Sequence, residues 1–381
     1  MLLLLNDRRS MITWSQVSAF RLARHHFADR RSASLAAASK NVCGIQAQVM
    51  SAAELALWAR VQDLTRAKIQ SALYEARTLV KTSAMRGTLH LLPIADFSIY
   101  IAALKRSRLR DMRRVMARSG VTEKEADRVT EAVVEALRAG LMTRRELTER
   151  ILSLKLVSKK AQAWFEQGWW GVVRQAMVEG LICYGPDRGQ DVTLVHVDQW
   201  FMKQEEVAEQ EAQRLLLRRY LSAYGPATLR DFSKWTGIPT KEVRPVWKSL
   251  RDELVEVSVA DQTSWILRED YDHLRHSRLN GHNLRLLPNF DPYMLAHAEK
   301  DHLVDARHYK RVYRVAGWIS PVVLFNGRVV GIWSYARRGR RVAFEIEPFE
   351  KFSRKIQSRV EKEAAGLGDF LETSWEMRFK R

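Results

Sequence analysis

The sequence is short of what redox, acyl-transfer, phosphoryl-transfer or zinc chemistry requires. It has two cysteines, Cys43 and Cys183, too few for a disulfide framework and suited to a reducing cytoplasm. Each thiol reads as a small buried hydrophobe. No phosphate-binding glycine loop, dinucleotide fingerprint, H-E-x-x-H or paired Cys/His spacing occurs. The pairs His25–His26 and His273–His276, and the looser set His297, His302 and His308, lack a matching ligand partner, so neither a metal nor a cofactor is expected. A serine elbow and a nucleophilic cysteine signature are missing as well. Apolar runs are brief. Leu2–Leu5 is cut by Asn6-Asp7-Arg8-Arg9 before it reaches signal-peptide length, Met11 is a second candidate start, and nothing approaches a membrane span.

Negative charge is the other scarcity. Lys and Arg number 63 against 44 Asp and Glu, a net charge of +19. Such an excess opposes compaction through self-repulsion, yet it raises affinity for polyanions and speeds encounter with them. Nucleic acid is therefore the expected partner. A membrane surface would need an amphipathic anchor, and none is found. The chain of 381 residues is long enough for several domains and a substantial core.

Read in order, the chain repeats one theme: helices, then a hairpin. The first unit, 12–120, predicts helices over Trp14–Phe27, Leu35–Ala38, Ala52–Val61 and Ile69–Tyr74, then a hairpin of Leu79–Thr82 with Thr88–Leu92. It ends in a basic helix around Lys105–Arg114 whose apolar stripe is Leu104, Leu109, Met112 and Val115. The second, 121–202, predicts a helix over Glu123–Arg138, a capping box at Thr143–Glu146, a long helix over Lys160–Glu179, and a wing of Leu181–Tyr184 with Val192–Val195. The third, 203–280, predicts a helix over Glu205–Tyr224, a cap at Thr228–Asp231, and a helix over Lys241–Leu250 that carries Arg244 and Lys248. Its wing is Leu254–Val259 with Thr263–Leu267. Helix, glycine-containing turn and helix is a helix-turn-helix signature. In the last segment, 281–381, short β-rich runs (Leu284–Leu287, Val322–Phe325, Val329–Trp333, Val342–Ile346) surround the hairpin signal Asn326-Gly327. A helix over Lys351–Ala365 closes them. The fold class expected is α+β and mostly helical: tandem winged helix-turn-helix domains followed by a small C-terminal β-sheet or partial barrel. Arg337, Arg338, Arg340 and Arg341 crowd one hairpin tip around Gly339, as phosphate contacts would.

One stretch carries chemistry. In Gly44-Ile45-Gln46-Ala47-Gln48-Val49, two glutamines alternate with apolar residues. In an extended backbone Gln46 and Gln48 share a face, whereas on a helix they would sit about 200° apart. Paired amides can hold a water without carrying charge; they can equally cap neighbouring backbone, and the spacing alone leaves both readings open. Gln46-Ala47-Gln48, Arg86–His90 (Arg-Gly-Thr-Leu-His), Leu286–Tyr293, Ala306–Val312 and Pro321–Trp333 together resemble the AlkZ/YcaQ family of bacterial winged-helix DNA glycosylases, over about Trp14 to Pro348. Glutamine at position 48, where the YcaQ branch carries aspartate, is similar to the AlkZ branch.

That resemblance implies a monofunctional DNA glycosylase, with Gln46 and Gln48 as catalytic residues and Arg86, Thr88 and His90 as their neighbours; the basic charge pattern puts Arg244, Lys248 and the arginine hairpin on DNA, a plain solubilising loop being the alternative for the hairpin. Its expected substrate is double-stranded DNA bearing bulky or crosslinked N7-alkylpurines, held open in a basic channel. A purine alkylated at N7 is already cationic, so it leaves without a general acid; an amide has no useful basicity, so positioning of the water at C1′ must dominate. The expected protein is a cytoplasmic, nucleoid-associated monomer. A non-catalytic winged-helix regulator or architectural factor is the alternative, although no ligand domain or dimerising heptad is found. An RNA-binding enzyme is weaker still, for want of an aromatic RNP sheet.

Overall fold

The structure, a computed structural model, describes residues 11–166, 171–202, 204–339 and 341–380. Arg340 lies outside them, as do Leu2–Leu5, and of the Arg338 side chain nothing is described. No helix among the described residues is long and apolar enough to cross a membrane.

Among the described residues, three small three-stranded sheets and one five-stranded sheet are set among the helices. The first small sheet orders its strands Ile45–Gln46, Leu89–Pro93, Leu79–Ser83, all antiparallel. The second is Met142–Thr143, Thr193–His196, Ile182–Tyr184. In the third, the hairpin Leu254–Val259 and Gln262–Leu267 is joined by Met11–Ile12, which pairs parallel with Ser258 and Val259. That strand was not anticipated, because two residues carry no periodicity. The chain's first described residues therefore complete a sheet built mostly some 240 positions later.

Helix starts follow the predicted chemistry closely. Thr143 and Thr228 accept from the backbone amides of Glu146 and Asp231, whose carboxylates return to the threonine amides, so both capping boxes form in full. Glu123–Arg138 is helical as read, capped by Thr122 and Glu125. Elsewhere tertiary packing moves boundaries. Of the helix expected over Lys160–Glu179, Lys159–Glu166 and Arg174–Val178 are helical and 171–173 form a turn, while 167–170 lie outside the described residues. The basic segment belongs to a longer helix, Phe97–Arg118, whose buried line runs through Leu104, Ser107, Met112 and Met116. Val115, assigned to that line, is exposed. Met116 takes the inward place because the helix continues past the charged run.

The five-stranded sheet orders Leu284–Leu287, Val322–Phe325, Arg328–Arg338, Arg341–Pro348 and Ser374–Phe379. Asn326 and Gly327 make its tight turn, with φ of 48° and 85°, the two left-handed residues a type I′ hairpin needs. Gly339 likewise has φ of 60° where Arg338 pairs with Arg341. The helix Arg354–Phe370 closes one side. The last strand, unanticipated, pairs parallel with Arg341–Pro348.

The sheet carrying the glutamines has no core to itself. Ile45, Leu79 and Leu91 on one face pack into a cluster with Leu286, Val323 and Ile346 of the five-stranded sheet. Val80 and Leu92 on the other face join Leu217, Tyr220 and Trp235 of the third helical unit. Tyr224 at the end of the helix Glu209–Tyr224 donates its hydroxyl to the Val42 carbonyl at 2.6 Å, just before the glutamine segment. Tyr220, one turn earlier, donates to Ala296 at 2.8 Å.

Between these layers lies a fully buried ion pair. Arg60 meets Asp291 through two parallel hydrogen bonds of 2.7 Å, with both side chains at 0% exposure. The guanidinium also donates to the Ala56 carbonyl at 2.7 Å and lies 4.5 Å from the centroid of Phe27. Asp291 further accepts the Tyr293 amide. Removing one member leaves a charge in apolar surroundings, so Asp291→Ala is expected to lose about 3–5 kcal/mol of stability. The paired replacement Arg60→Met/Asp291→Leu, which removes both charges, is expected to recover most of it. Denaturant melts of the three proteins test this; equal losses for single and double variants would refute it.

Candidate active site

Gln46 ends its strand opposite His90, and His90 stands opposite Thr82. Partners directly opposite project to the same face of a sheet, so Gln46, His90 and Thr82 form a polar row across it. The same face continues into apolar Leu92 and Val80. The strand stops at Gln46, sooner than a fully extended Gln46–Gln48 segment requires. One more ladder bond follows, Ala47 N–H to the Leu89 carbonyl at 2.7 Å, and the chain then bends at Gln48 into the helix Met50–Trp58. Gln48 is half-buried and turns its carbonyl oxygen back onto the Leu89 amide at 3.3 Å. Gly44 opens the segment at φ of 94°, and a Cβ there would meet Leu92 Cδ2 at 2.6 Å. Glycine is needed on both counts.

The turn Met85–Gly87 reaches over this row. Arg86 is left-handed, φ 56°, a conformation costing roughly 1–2 kcal/mol for a residue with a Cβ. Two hydrogen bonds hold it there. Its guanidinium donates to Gln46 Oε1 at 3.0 Å and to the Trp235 carbonyl at 2.6 Å. Arginine can only donate, so the amide oxygen of Gln46 faces Arg86 and its NH2 group faces away. Burial draws the Arg86 pKa down to about 10, so it remains a cation at neutral pH. Arg108, on the helix Phe97–Arg118, donates to the next carbonyl, Thr236. Two guanidiniums thus cap the C-terminal end of the helix Leu229–Thr236, where unpaired carbonyls and the helix dipole favour positive charge.

His90 is buried, and its Nδ1 lies 3.0 Å from the Thr88 carbonyl. A carbonyl only accepts, so Nδ1 carries the proton and Nε2 is the lone-pair nitrogen. Desolvation first, and the Arg86 charge second, bring its pKa down to about 3; at neutral pH it is an uncharged imidazole. Thr88 lies just outside the strand, its hydroxyl committed to the Met85 carbonyl at 3.1 Å. Among the described residues no carboxylate hydrogen-bonds to Gln46, Gln48, Arg86 or His90. The site offers amides, one neutral imidazole and one guanidinium. It is equipped to hold a water or a sugar and has no strong general base.

The structure brings Gln46, Gln48, Arg86, Thr88 and His90 together. Among the described residues, no hydrogen bond or ion pair joins Arg244, Lys248, Arg337 or Arg341 to them. Arg244 and Lys248 are exposed, one turn apart on the helix Thr240–Ser249. Arg337 and Arg341 are exposed at the hairpin tip, and Arg341 lies 3.6 Å from Glu376 of the unanticipated last strand. Arg108 and the Trp235 carbonyl were missed. The basic run gave no reason to single out one arginine, and a backbone carbonyl leaves no mark in a sequence.

His25 and His297 share the neutral state of His90. Each is buried, and desolvation depresses its pKa first, with Arg60 acting next on His25 and Arg21 on His297. Depressed pKa values mean that the unfolded chain takes up protons below about pH 6.5 that the native fold refuses. The stability is complete above that pH and drains away as pH falls toward the folded values. The unfolded chain is already half protonated at pH 6.5, so each histidine removes about 1 kcal/mol between pH 6.5 and 5.5, and the three together are expected to remove ~3 kcal/mol. Urea melts across that interval test it; a flat midpoint would show these histidines protonated in the native fold.

Three comparisons bear on this geometry. The pattern of the family described as DNA glycosylase AlkZ-like matches residues 40–370. The interstrand DNA cross-link repair glycosylase of Streptomyces sahachiroi is 34% identical over 360 residues, covering 93% of this chain and 95% of that protein. The solved structure of Streptomyces sahachiroi DNA glycosylase AlkZ superposes with a TM-score of 0.85 at 32% identity, over 97% of this chain and 99% of the other.

Proposed function

The chain belongs to the AlkZ-like family of DNA glycosylases, and on that premise we propose that it releases bulky or crosslinked N7-alkylpurines by water attack at C1′, with Gln46 and Gln48 holding the water. The relative's printed activity, repair of interstrand DNA crosslinks, supports extending the substrate to crosslinked duplexes. The observation that carries the reading is the Arg86–Gln46 hydrogen bond beside His90, where no carboxylate among the described residues hydrogen-bonds to Gln46, Gln48, Arg86 or His90. In the reaction, oxygen of water bonds to C1′ as the C1′–N9 bond breaks. The cationic base leaves as a neutral purine derivative, and the proton released from water passes to solvent. A strong base is unnecessary because the leaving group is already charged.

Both amide oxygens are engaged, Gln46 by Arg86 and Gln48 by the Leu89 amide. A carbonyl oxygen has two acceptor directions, so each keeps one for the water. Fixing one lone pair fixes the direction of the other. A guanidinium close to a developing oxocarbenium would be unfavourable alone; here its charge is shared with the carbonyl end of the helix Leu229–Thr236. The neutral His90 adds no further positive charge.

The segments 12–120, 121–202 and 203–280 serve in this reading as winged-helix units and 281–381 as the β domain. The strand Met11–Ile12 ties the first to the third. The protein works as a monomer in the cytoplasm, on the nucleoid. The alternative of a non-catalytic DNA-binding protein gives way to the family relationship.

Gln46→Ala and Gln48→Ala are each expected to slow single-turnover excision about ten- to hundredfold, the loss of one oriented hydrogen bond of roughly 1–3 kcal/mol. DNA affinity should stay nearly intact, and the double variant should lose less than the sum, since both hold one water. Gln48→Asp should retain activity on cationic lesions. Excision by the double variant at the parental rate would move the active site elsewhere.

Replacing Arg337, Arg338, Arg340 and Arg341 by alanine is expected to weaken DNA binding. The plot of log K against log salt should flatten by about 0.9 for each phosphate contact removed. Fluorescence anisotropy on one duplex at several salt concentrations measures this, and an unchanged slope removes the hairpin from the interface.

A further inference from the structure

A short loop beside the five-stranded sheet displays apolar side chains to solvent. Val315 is 89% exposed, Trp318 44% and Tyr309 40%. Single exposed hydrophobes are ordinary, but this group is held on a stiff frame. Tyr313 bridges to Ile319 at the loop's base, the Arg314 amide donates to the Trp318 carbonyl at 2.8 Å, and the Trp318 amide returns to Val315 at 3.3 Å. Ala316 and Gly317 follow one another in the left-handed region, φ 56° and 74°, which makes the turn tight. Trp318 sits edge-on against Phe290 with ring centroids 5.0 Å apart, and Tyr309 lies 4.9 Å from Tyr313. Asn289 anchors the return limb through the Ile319 carbonyl at 2.8 Å.

The surroundings are cationic. Lys310 and Arg314 are exposed and have no ion pair among the described residues. The base of the loop is tied toward the helix that holds Arg86. Tyr313 donates its hydroxyl to the Met294 carbonyl at 2.9 Å, and Lys300 donates to the same oxygen at 3.0 Å. Lys300 Nζ lies 5.4 Å from the centroid of the Tyr313 ring, and two residues before it the Ala298 amide donates to Asp231 at 2.8 Å, on the helix Leu229–Thr236 whose Trp235 carbonyl holds Arg86. An apolar, rigid, positively flanked tip has the properties of side chains that enter a base stack.

We propose that the loop 314–318 is a wedge that enters the DNA base stack beside the lesion, with Val315 filling the opened step and Lys310 and Arg314 on the flanking phosphates. This rests on the glycosylase reading above and adds to it. A bulky adduct that stays exposed must still present its C1′ to the glutamines, and unstacking the neighbouring step supplies the room. Unstacking costs a few kcal/mol per step, which an apolar side chain filling the gap offsets by excluding water. Trp318 and Tyr309 offer flat faces to the bases displaced.

The test uses full-length protein and a duplex with 2-aminopurine next to an N7-alkylguanine. In the Gln46→Ala/Gln48→Ala background, where binding is complete before the slowed excision begins, 2-aminopurine fluorescence should rise on binding. Adding Val315→Ser should abolish the rise, and Val315→Leu should preserve it. In the otherwise parental protein, Val315→Ser should slow single-turnover excision by at least about tenfold. An equal fluorescence rise with and without Val315→Ser overturns the wedge. So does a change in sedimentation with no change in fluorescence, which would assign the loop to an interface between copies of this chain. Excision by the parental protein is scored separately, so failure of the wedge is distinct from failure of the glycosylase reading.

Discussion

The buried pair of Arg60 and Asp291 is the constraint on which the arrangement of the site depends. Arg60 follows the helix Met50–Trp58 that begins two residues after Gln48, and its backbone carbonyl accepts the Arg31 amide at 3.2 Å. Asp291 caps the short helix Pro292–Leu295, whose Met294 carbonyl receives Tyr313 and Lys300. Two parts of the chain separated by 231 positions are thus fixed by two planar hydrogen bonds whose geometry admits little play. Such a pair is a weak source of net stability, because desolvation of both ions offsets most of the attraction. Its contribution is registry. It sets the glutamine segment against the C-terminal sheet while the opposite face of the same strands meets the third helical unit.

That double engagement explains how a two-residue strand can be positioned at all. Ile45 and Gln46 make few backbone bonds, and nothing local holds them in place. Ile45 and Leu91 lock one face into the cluster shared with the C-terminal sheet; Leu92 and Val80 lock the other. The polar row is the end of the second face that the apolar contacts leave uncovered, and Arg86 closes it from the turn.

How much of this was legible in the sequence follows from how far each signal reaches. The capping boxes at Thr143 and Thr228 and the Asn326-Gly327 turn were readable because the atoms involved lie within three residues of one another. Alternation of Gln46 and Gln48 with apolar neighbours gave the correct face for Gln46, and the ladder bond of Ala47 extends that geometry one residue further. The bend at Gln48 was hidden, since it is set by the start of the next helix. The strands Met11–Ile12 and Ser374–Phe379 escaped notice for a related reason: their partners lie far along the chain or beyond a helix, and their own residues are too few or too exposed to show a pattern. Asp291 stood out as part of the resembling stretch Leu286–Tyr293, but only the structure gives it a reason, the guanidinium it neutralises.

On the proposed reading, the site illustrates what a reaction with a charged leaving group asks of a protein. A neutral leaving group would need an acid to protonate it and a base to activate the nucleophile, hence paired carboxylates with separated pKa values. When the bond to be broken already carries the charge, both needs lapse, and fixed direction remains. Direction is what the hydrogen bonds here supply. Arg86 turns Gln46, the Leu89 amide turns Gln48, the Thr88 carbonyl sets the His90 tautomer, and the Trp235 carbonyl holds Arg86. Every one of those partners comes from a wing, a turn or a helix end, where backbone donors and acceptors are free of regular pairing. The edges of small sheets and the ends of helices are therefore where such a site can be assembled, and the interior of helices is where it could not.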